Sequence, residues 1–105
     1  MGDLELDTAT AQADRMMAAG DFRSARDVLE RWAATQPQAI DFWQRLATAR
    51  RASGEPVRAL AAIDRALTLA PLDFVGLLMR ASLLESLGRA DAGEATRDRG
   101  RDRPR

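Results

Sequence analysis

The ionisable side chains of this chain belong to three types, and they define the chemistry open to it. Sixteen Arg residues balance sixteen Asp and Glu residues, and Lys, His, Cys and Tyr are absent. The chain therefore lacks a thiol or amine nucleophile, an imidazole base, and the thiolate and imidazole ligands that zinc prefers. Carboxylates alone make a hydrolase only when a shaped cleft holds two of them together, and the acids here are scattered. The sequence predicts no enzyme activity, no cofactor and no metal site.

Arginine can still bind an anion, because its planar guanidinium grips a carboxylate with two parallel hydrogen bonds. Arg45 and Arg51 lie within one predicted helix and are the candidates for such a contact. Asp41 stands four residues before Arg45, so the same guanidinium could instead form a surface pair contributing about 0.3–0.5 kcal/mol. Both alternatives remain open at this stage.

The charge balance limits the classes of partner. A net charge of zero argues against a general nucleic-acid or membrane-surface binder, which normally carries an excess of basic residues. The first residues are acidic and lack the pattern of a signal peptide, and no apolar stretch approaches the roughly 20 residues of a membrane span. The sequence predicts a cytoplasmic protein with neither a nucleic-acid nor a membrane partner.

A regular internal period organises the chain. Gly20, Gly54 and Gly88 are equally spaced, and Pro37 and Pro71 are separated by the same interval, which we call the repeat step. A glycine can take the left-handed conformation that ends a helix, and a proline disfavours helix in the residue before it. The period therefore predicts helix pairs with a turn at each glycine. The predicted helices cover residues 8–19, 21–36, 39–52, 56–69 and 74–87, with 91–99 as a possible sixth.

This spacing resembles that of the tetratricopeptide repeat, a helix–turn–helix unit of about 34 residues that stacks on its neighbours. The middle unit carries the resemblance best, through Trp43, Leu46, Ala47, Gly54, Ala59, Ile63, Ala66 and Pro71. The three units span residues 6–37, 38–71 and 72–99. Trp32 departs from the pattern, because the family usually has a small Ala there. We expect it to hold its helix away from a neighbour or to fill a gap, and we expect both Trp residues to pack in the core.

The resemblance implies an all-α fold, a right-handed stack of five or six helices in antiparallel pairs. It also implies a protein–protein interaction module that binds a peptide or helix in a concave groove lined by the first helix of each unit. By position, the residues expected to line that groove are Asp14, Asp41, Gln44, Arg45, Thr48 and Arg51. We expect residues 1–99 to form one domain and residues 100–105 a disordered tail.

A second candidate surface lies near the C-terminal end. A repeat array normally needs a polar closing helix over its last apolar face. The segment 91–99 offers only Ala92 and Ala95 for this purpose, which is too little to cover the preceding helix. We therefore predict self-association or partner binding there, through Leu77, Leu78, Met79, Leu83, Leu84 and Leu87.

Two alternatives to groove binding follow. The chain could be a structural domain that forms a homodimer through its apolar C-terminal helix. It could also be the leader of a larger bacterial enzyme, since its repeats resemble those that precede catalytic domains such as aspartyl/asparaginyl β-hydroxylases. The abrupt change of composition after residue 96 would suit a cut boundary.

Overall fold

The computed structural model describes the backbone of residues 2–102 and the side chains of residues 7–89. Within that backbone the chain forms five helices and no strand, which confirms the all-α prediction. Each helix packs on the next in chain order, giving a stack of helix pairs. The helices are α1 (Gly2–Ala18), α2 (Phe22–Thr35), α3 (Ile40–Ala52), α4 (Pro56–Leu69) and α5 (Phe74–Asp102).

The turns within the first two pairs have the same construction. Gly20 and Gly54 both adopt a φ of 80°, a conformation that a side chain would strain. The residue after each glycine closes the turn by donating its backbone N–H to a carbonyl five residues earlier, 2.8 Å away in both cases. This is the Schellman closure of a helix end. The predicted positions of these two turns are confirmed.

The turns between units also repeat. Gln36 and Ala70 each donate the last helical hydrogen bond, to Trp32 and Ala66 respectively, and a proline follows at once. Asp73 then accepts a hydrogen bond from the N–H of Gly76 at 2.8 Å, so its side chain caps the start of α5.

The core is rich in alanine, which lets helix backbones approach closely. Trp32 is half-buried and stacks on the ring of Phe42 with 6.0 Å between centroids, so it fills space where the family has a smaller residue. Trp43 also packs against the core, and its indole N–H donates to the carbonyl of Pro37 at 3.0 Å. Both tryptophans are therefore packing residues, as predicted. The buried residues of α2, α3 and α4 include Ala25, Leu29, Ala33, Phe42, Leu46, Ala47, Ala59, Ala62, Ile63 and Ala66.

The third unit departs from the predicted plan. Helix α5 runs without a break through Gly88, so the predicted turn there and a separate helix at 91–99 are wrong. Gly88 does not take a positive φ. A turn would fold back a segment carrying Gly93 and Arg97 at the positions of Ala59 and Ile63. Little apolar burial would be gained, whereas a continuing helix keeps its backbone hydrogen bonds.

The outer helices extend further than predicted. Helix α1 begins at Gly2 rather than near residue 8, and α5 reaches Asp102, so no helix end marks the predicted domain boundary after residue 99. Residues 103–105 of the predicted tail lie outside the described residues. The molecule is elongated, measuring 68 × 31 × 19 Å along its principal axes.

Candidate functional site

The predicted groove residues come together, but they largely bind one another. Arg45 of α3 points its guanidinium at Asp14 of α1, with Nε 3.1 Å from one carboxylate oxygen and Nη2 3.4 Å from the other. Its distance to Asp41, the i, i+4 neighbour, is 3.9 Å. The main partner is thus a carboxylate of a different helix, and the contact ties the first unit to the second.

The other groove side chains are also engaged, with one exception. Gln44 donates its amide to Asp73 at 2.5 Å, and Thr48 donates its hydroxyl to the backbone carbonyl of Gln44 at 3.1 Å. Arg51 is exposed, and its guanidinium forms no hydrogen bond or ion pair with another described residue. Most of the polar groups that could receive a peptide are therefore already satisfied within the chain.

The predicted self-association residues divide into two sets on α5. Leu83 is 1% exposed and belongs to the core, so its assignment to an association surface is wrong. Met79 and Leu87 are half-buried. Leu83 follows Gly76 by seven residues and Met79 by four, which places all three on one stripe of the helix. That stripe faces α4, since a Cβ built on Gly76 would lie 2.9 Å from the side chain of Leu67.

The opposite side of α5 carries large apolar side chains in solvent. Leu77, Leu78 and Leu84 are 44%, 54% and 40% exposed, as the sequence led us to expect. Phe74 is 71% exposed and was missing from the predicted set, although the repeat step aligns it with Ile40 of the middle unit. With the exposed Ala81 between them, these residues share one side at spacings of three, four and seven. We call this set the open face: Phe74, Leu77, Leu78, Ala81 and Leu84.

The apolar surface continues beyond the open face. Val75 is 52% exposed, and Leu72 in the preceding turn is 90% exposed. Val75 and Leu78 lie three residues apart on one helix, so the exposed apolar surface of α5 extends from Leu78 to Val75.

A cluster of ion pairs on α2 and α4 has a structural role. Arg26 of α2 donates to Glu55 at the start of α4 at 2.8 Å, and Arg58 contacts the other carboxylate oxygen at 3.2 Å. The hydrogen bond from Arg26 is the main cause that lowers the pKa of Glu55, and it raises the pKa of Arg26 in turn. The side chains of Arg26 and Glu55 are only partly exposed, and the pair ties the first unit to the second.

Other kinds of site find little support among the described residues. They contain no cluster of three or more carboxylates that could hold a metal ion. No helix in the described part of the chain is both long and apolar enough to cross a membrane.

The fold and its surface define a class, the helical repeat proteins. The tetratricopeptide repeat family model matches residues 6–49 and 40–83, two stretches offset by one repeat step at both ends. The chain belongs to the tetratricopeptide repeat family. Repeats of this family generally mediate protein–protein interaction. A comparison with curated proteins gives no match.

Proposed function

We propose that this chain is a protein-interaction module whose main contact surface is the open face of α5. The observation that carries the proposal is the exposure of four large apolar side chains on one side of one helix. Together they form a contiguous exposed apolar patch, and the largest apolar patch on a typical monomer, about 300–600 Å², is often functional. A soluble domain gains from covering such a patch, because its burial removes apolar surface from water.

The concave groove is the weaker candidate as the primary site. Its best anion-binding group, Arg45, already grips Asp14 with two nitrogens. A ligand carboxylate would have to displace that pair, so only part of the interaction energy would appear as affinity. The groove can still contribute through the exposed Arg51.

A matched pair of double variants tests the proposal. Leu77→Glu with Leu84→Glu charges the open face, and Arg45→Glu with Arg51→Glu reverses the charge of the groove. Both pairs lie at least partly in solvent, and circular dichroism would check that each variant keeps its helices. We expect the tagged protein to lose its specific partners only when the open face is changed. Quantitative mass spectrometry would measure the amount of each partner captured.

Two results would contradict it. Loss of partners in the groove variant alone would move the site to the groove. If both variants captured the partners as well as the wild type does, neither the open face nor the groove would be the contact surface.

A further inference from the structure

The open face has a buried counterpart within the same molecule. The repeat step that relates the units carries Ile40 to Phe74, Trp43 to Leu77 and Ala47 to Ala81. In the middle unit these residues of α3 pack in the core, and Ala47 is 0% exposed. Helix α4 packs against α3, and its Arg65 lies over the ring of Trp43. In the third unit the equivalent positions are exposed, because α5 continues past Gly88 and no second helix returns along it within the described residues.

We propose that the open face binds a single amphipathic helix from a partner protein, laid along α5 as α4 is laid along α3. This inference rests on the proposed function and names the chemistry of the partner. The bound helix would take the place that α4 holds in the second unit, which no described residue of the third unit fills. A helix lying in a groove on an apolar stripe is an established mode of protein recognition.

The buried side of α4 indicates what such a helix must present. It consists of small residues around one larger apolar residue, since Ala59, Ala62, Ile63 and Ala66 are all 0–1% exposed. The same step carries these four residues to Gly93, Thr96, Arg97 and Gly100, which lack that apolar stripe. The partner helix therefore needs an Ala-rich stripe with a branched aliphatic residue, repeated at steps of three and four.

Charge on α5 supports an apolar partner stripe. Arg80 pairs with Asp64 of α4 at 2.8 Å, and Arg89 pairs with Glu85 one turn away. At the position of Arg50 in α3, α5 has the apolar Leu84. The charged groups beside the open face are thus neutralised within the chain, and the face itself is neutral. Apolar contact rather than ion pairing would provide the affinity.

The size of the open face favours one helix over a second copy of this chain. From Phe74 to Leu84 the face is about 15 Å long, which a helix of about 12–14 residues covers. The face is a single helical stripe, whereas a stable interface between two proteins buries about 800 Å² on each of them. A second copy would also bring large side chains such as Phe74, Leu77 and Leu84 against one another, with Ala81 as the single small residue among the five.

The direct test uses α4 itself as the probe. A fluorescent peptide with the sequence of residues 56–69 carries the required stripe, and a lactam bridge between positions 64 and 68 would hold it helical. Both positions are exposed in α4. The bridge is needed because an isolated helix of this length is marginal in water. Fluorescence anisotropy would measure binding to the full chain, with an Ile63→Glu peptide as the matched control.

Two variants of the chain separate helix docking from general stickiness. Leu84→Glu should weaken peptide binding at least tenfold. Ala81→Phe adds apolar area, yet it should also weaken binding at least tenfold, because it fills the place where the helix must approach closely. Arg23→Glu, a change at an exposed position of α2, should leave binding within twofold. If Leu84→Glu disturbs the helix content, Leu77→Gln serves in its place.

The outcomes distinguish this inference from the proposed function. If natural partners depend on the open face but the peptide fails to bind, or binds the Ala81→Phe variant equally well, the partner helix is overturned and the contact surface stands. Light scattering could instead show a mass of two chains for the wild type and of one chain for Leu84→Glu. That result would overturn the partner helix in favour of a second copy of this chain. If Leu84→Glu left peptide binding unchanged, the peptide would be displacing α4 from the chain, and the proposed partner helix would also be overturned.

Discussion

Helices α3 and α5 occupy equivalent positions in successive repeats, yet one is buried and the other is half in solvent. Ala47 of α3 is 0% exposed, whereas Ala81, one repeat step later, is exposed. Helix α3 has α2 on one side and α4 on the other, while α5 packs against α4. The burial of a residue in a repeat is therefore decided by the helix that follows it, and not by its own position in the pattern.

The largest effect should come from two neighbouring leucines of α5. Leu83→Ala removes a side chain that is 1% exposed, so we expect the free energy of unfolding to fall by about 2–5 kcal/mol. Leu84→Ala removes one that is 40% exposed, and the loss should stay below about 1 kcal/mol. Urea denaturation followed by circular dichroism measures both. Equal losses would mean that the open face is covered in solution.

The next effect compares equivalent alanines. Ala47→Leu forces extra volume between α3 and its neighbours and should cost about 1–3 kcal/mol of stability. Ala81→Leu places the same side chain on the open face, where the change should stay within about 0.5 kcal/mol. The same denaturation experiment compares them. A cost at Ala81 similar to that at Ala47 would show that a helix already lies over α5.

The mid-repeat glycines should respond in opposite directions. Gly54→Ala puts a side chain at a φ of 80° and should destabilise the fold by about 1–2 kcal/mol. Gly88→Ala lies within a helix, with nothing within 4 Å of the new Cβ, and should stabilise it by about 0.5–1 kcal/mol. Thermal unfolding gives both signs. Destabilisation by Gly88→Ala would indicate that the chain turns at Gly88.

The smallest effect concerns pH and the tie between the first two units. Because the pKa of Glu55 lies below its ordinary value of 4.5 in the folded chain, its contribution to stability is present above that value. The contribution is lost as pH falls through the folded pKa. The stability difference between the wild type and Glu55→Gln should therefore narrow between pH 6 and pH 3. A stability difference that stays constant over this range would contradict the assignment of the tie to Glu55.

Local signals were enough to predict much of this fold. Gly20 and Gly54 marked two turns, and Pro37 and Pro71 marked the ends of units. Each acts on backbone within a few residues, so its effect can be derived from neighbouring positions. The prediction of a turn at Gly88 was wrong, because a glycine permits a turn without enforcing one. The outcome there depends on what apolar surface the following segment can bury.

The candidate site was predicted less completely, because it depends on contacts between helices. The contact of Arg45 with Asp14 joins two different helices, and sequence spacing alone favoured Asp41. Leu83 and Leu84 look alike in the sequence, but Leu83 is 1% exposed and Leu84 is 40% exposed, because neighbouring residues of a helix point about 100° apart. A helical wheel anchored on Gly76 would have separated them, had the close approach of Leu67 been known.

The positions of the two tryptophans determine which helices intrinsic fluorescence can report on. Trp32 stacks on Phe42, and Trp43 lies 5.8 Å from the guanidinium of Arg65, so both indoles sit among α2, α3 and α4. The chain has no tyrosine and no other tryptophan. Intrinsic fluorescence will therefore follow the paired helices and stay nearly silent when α5 detaches or is covered. A dye or an engineered tryptophan on α5 would be needed to detect when α5 detaches or is covered.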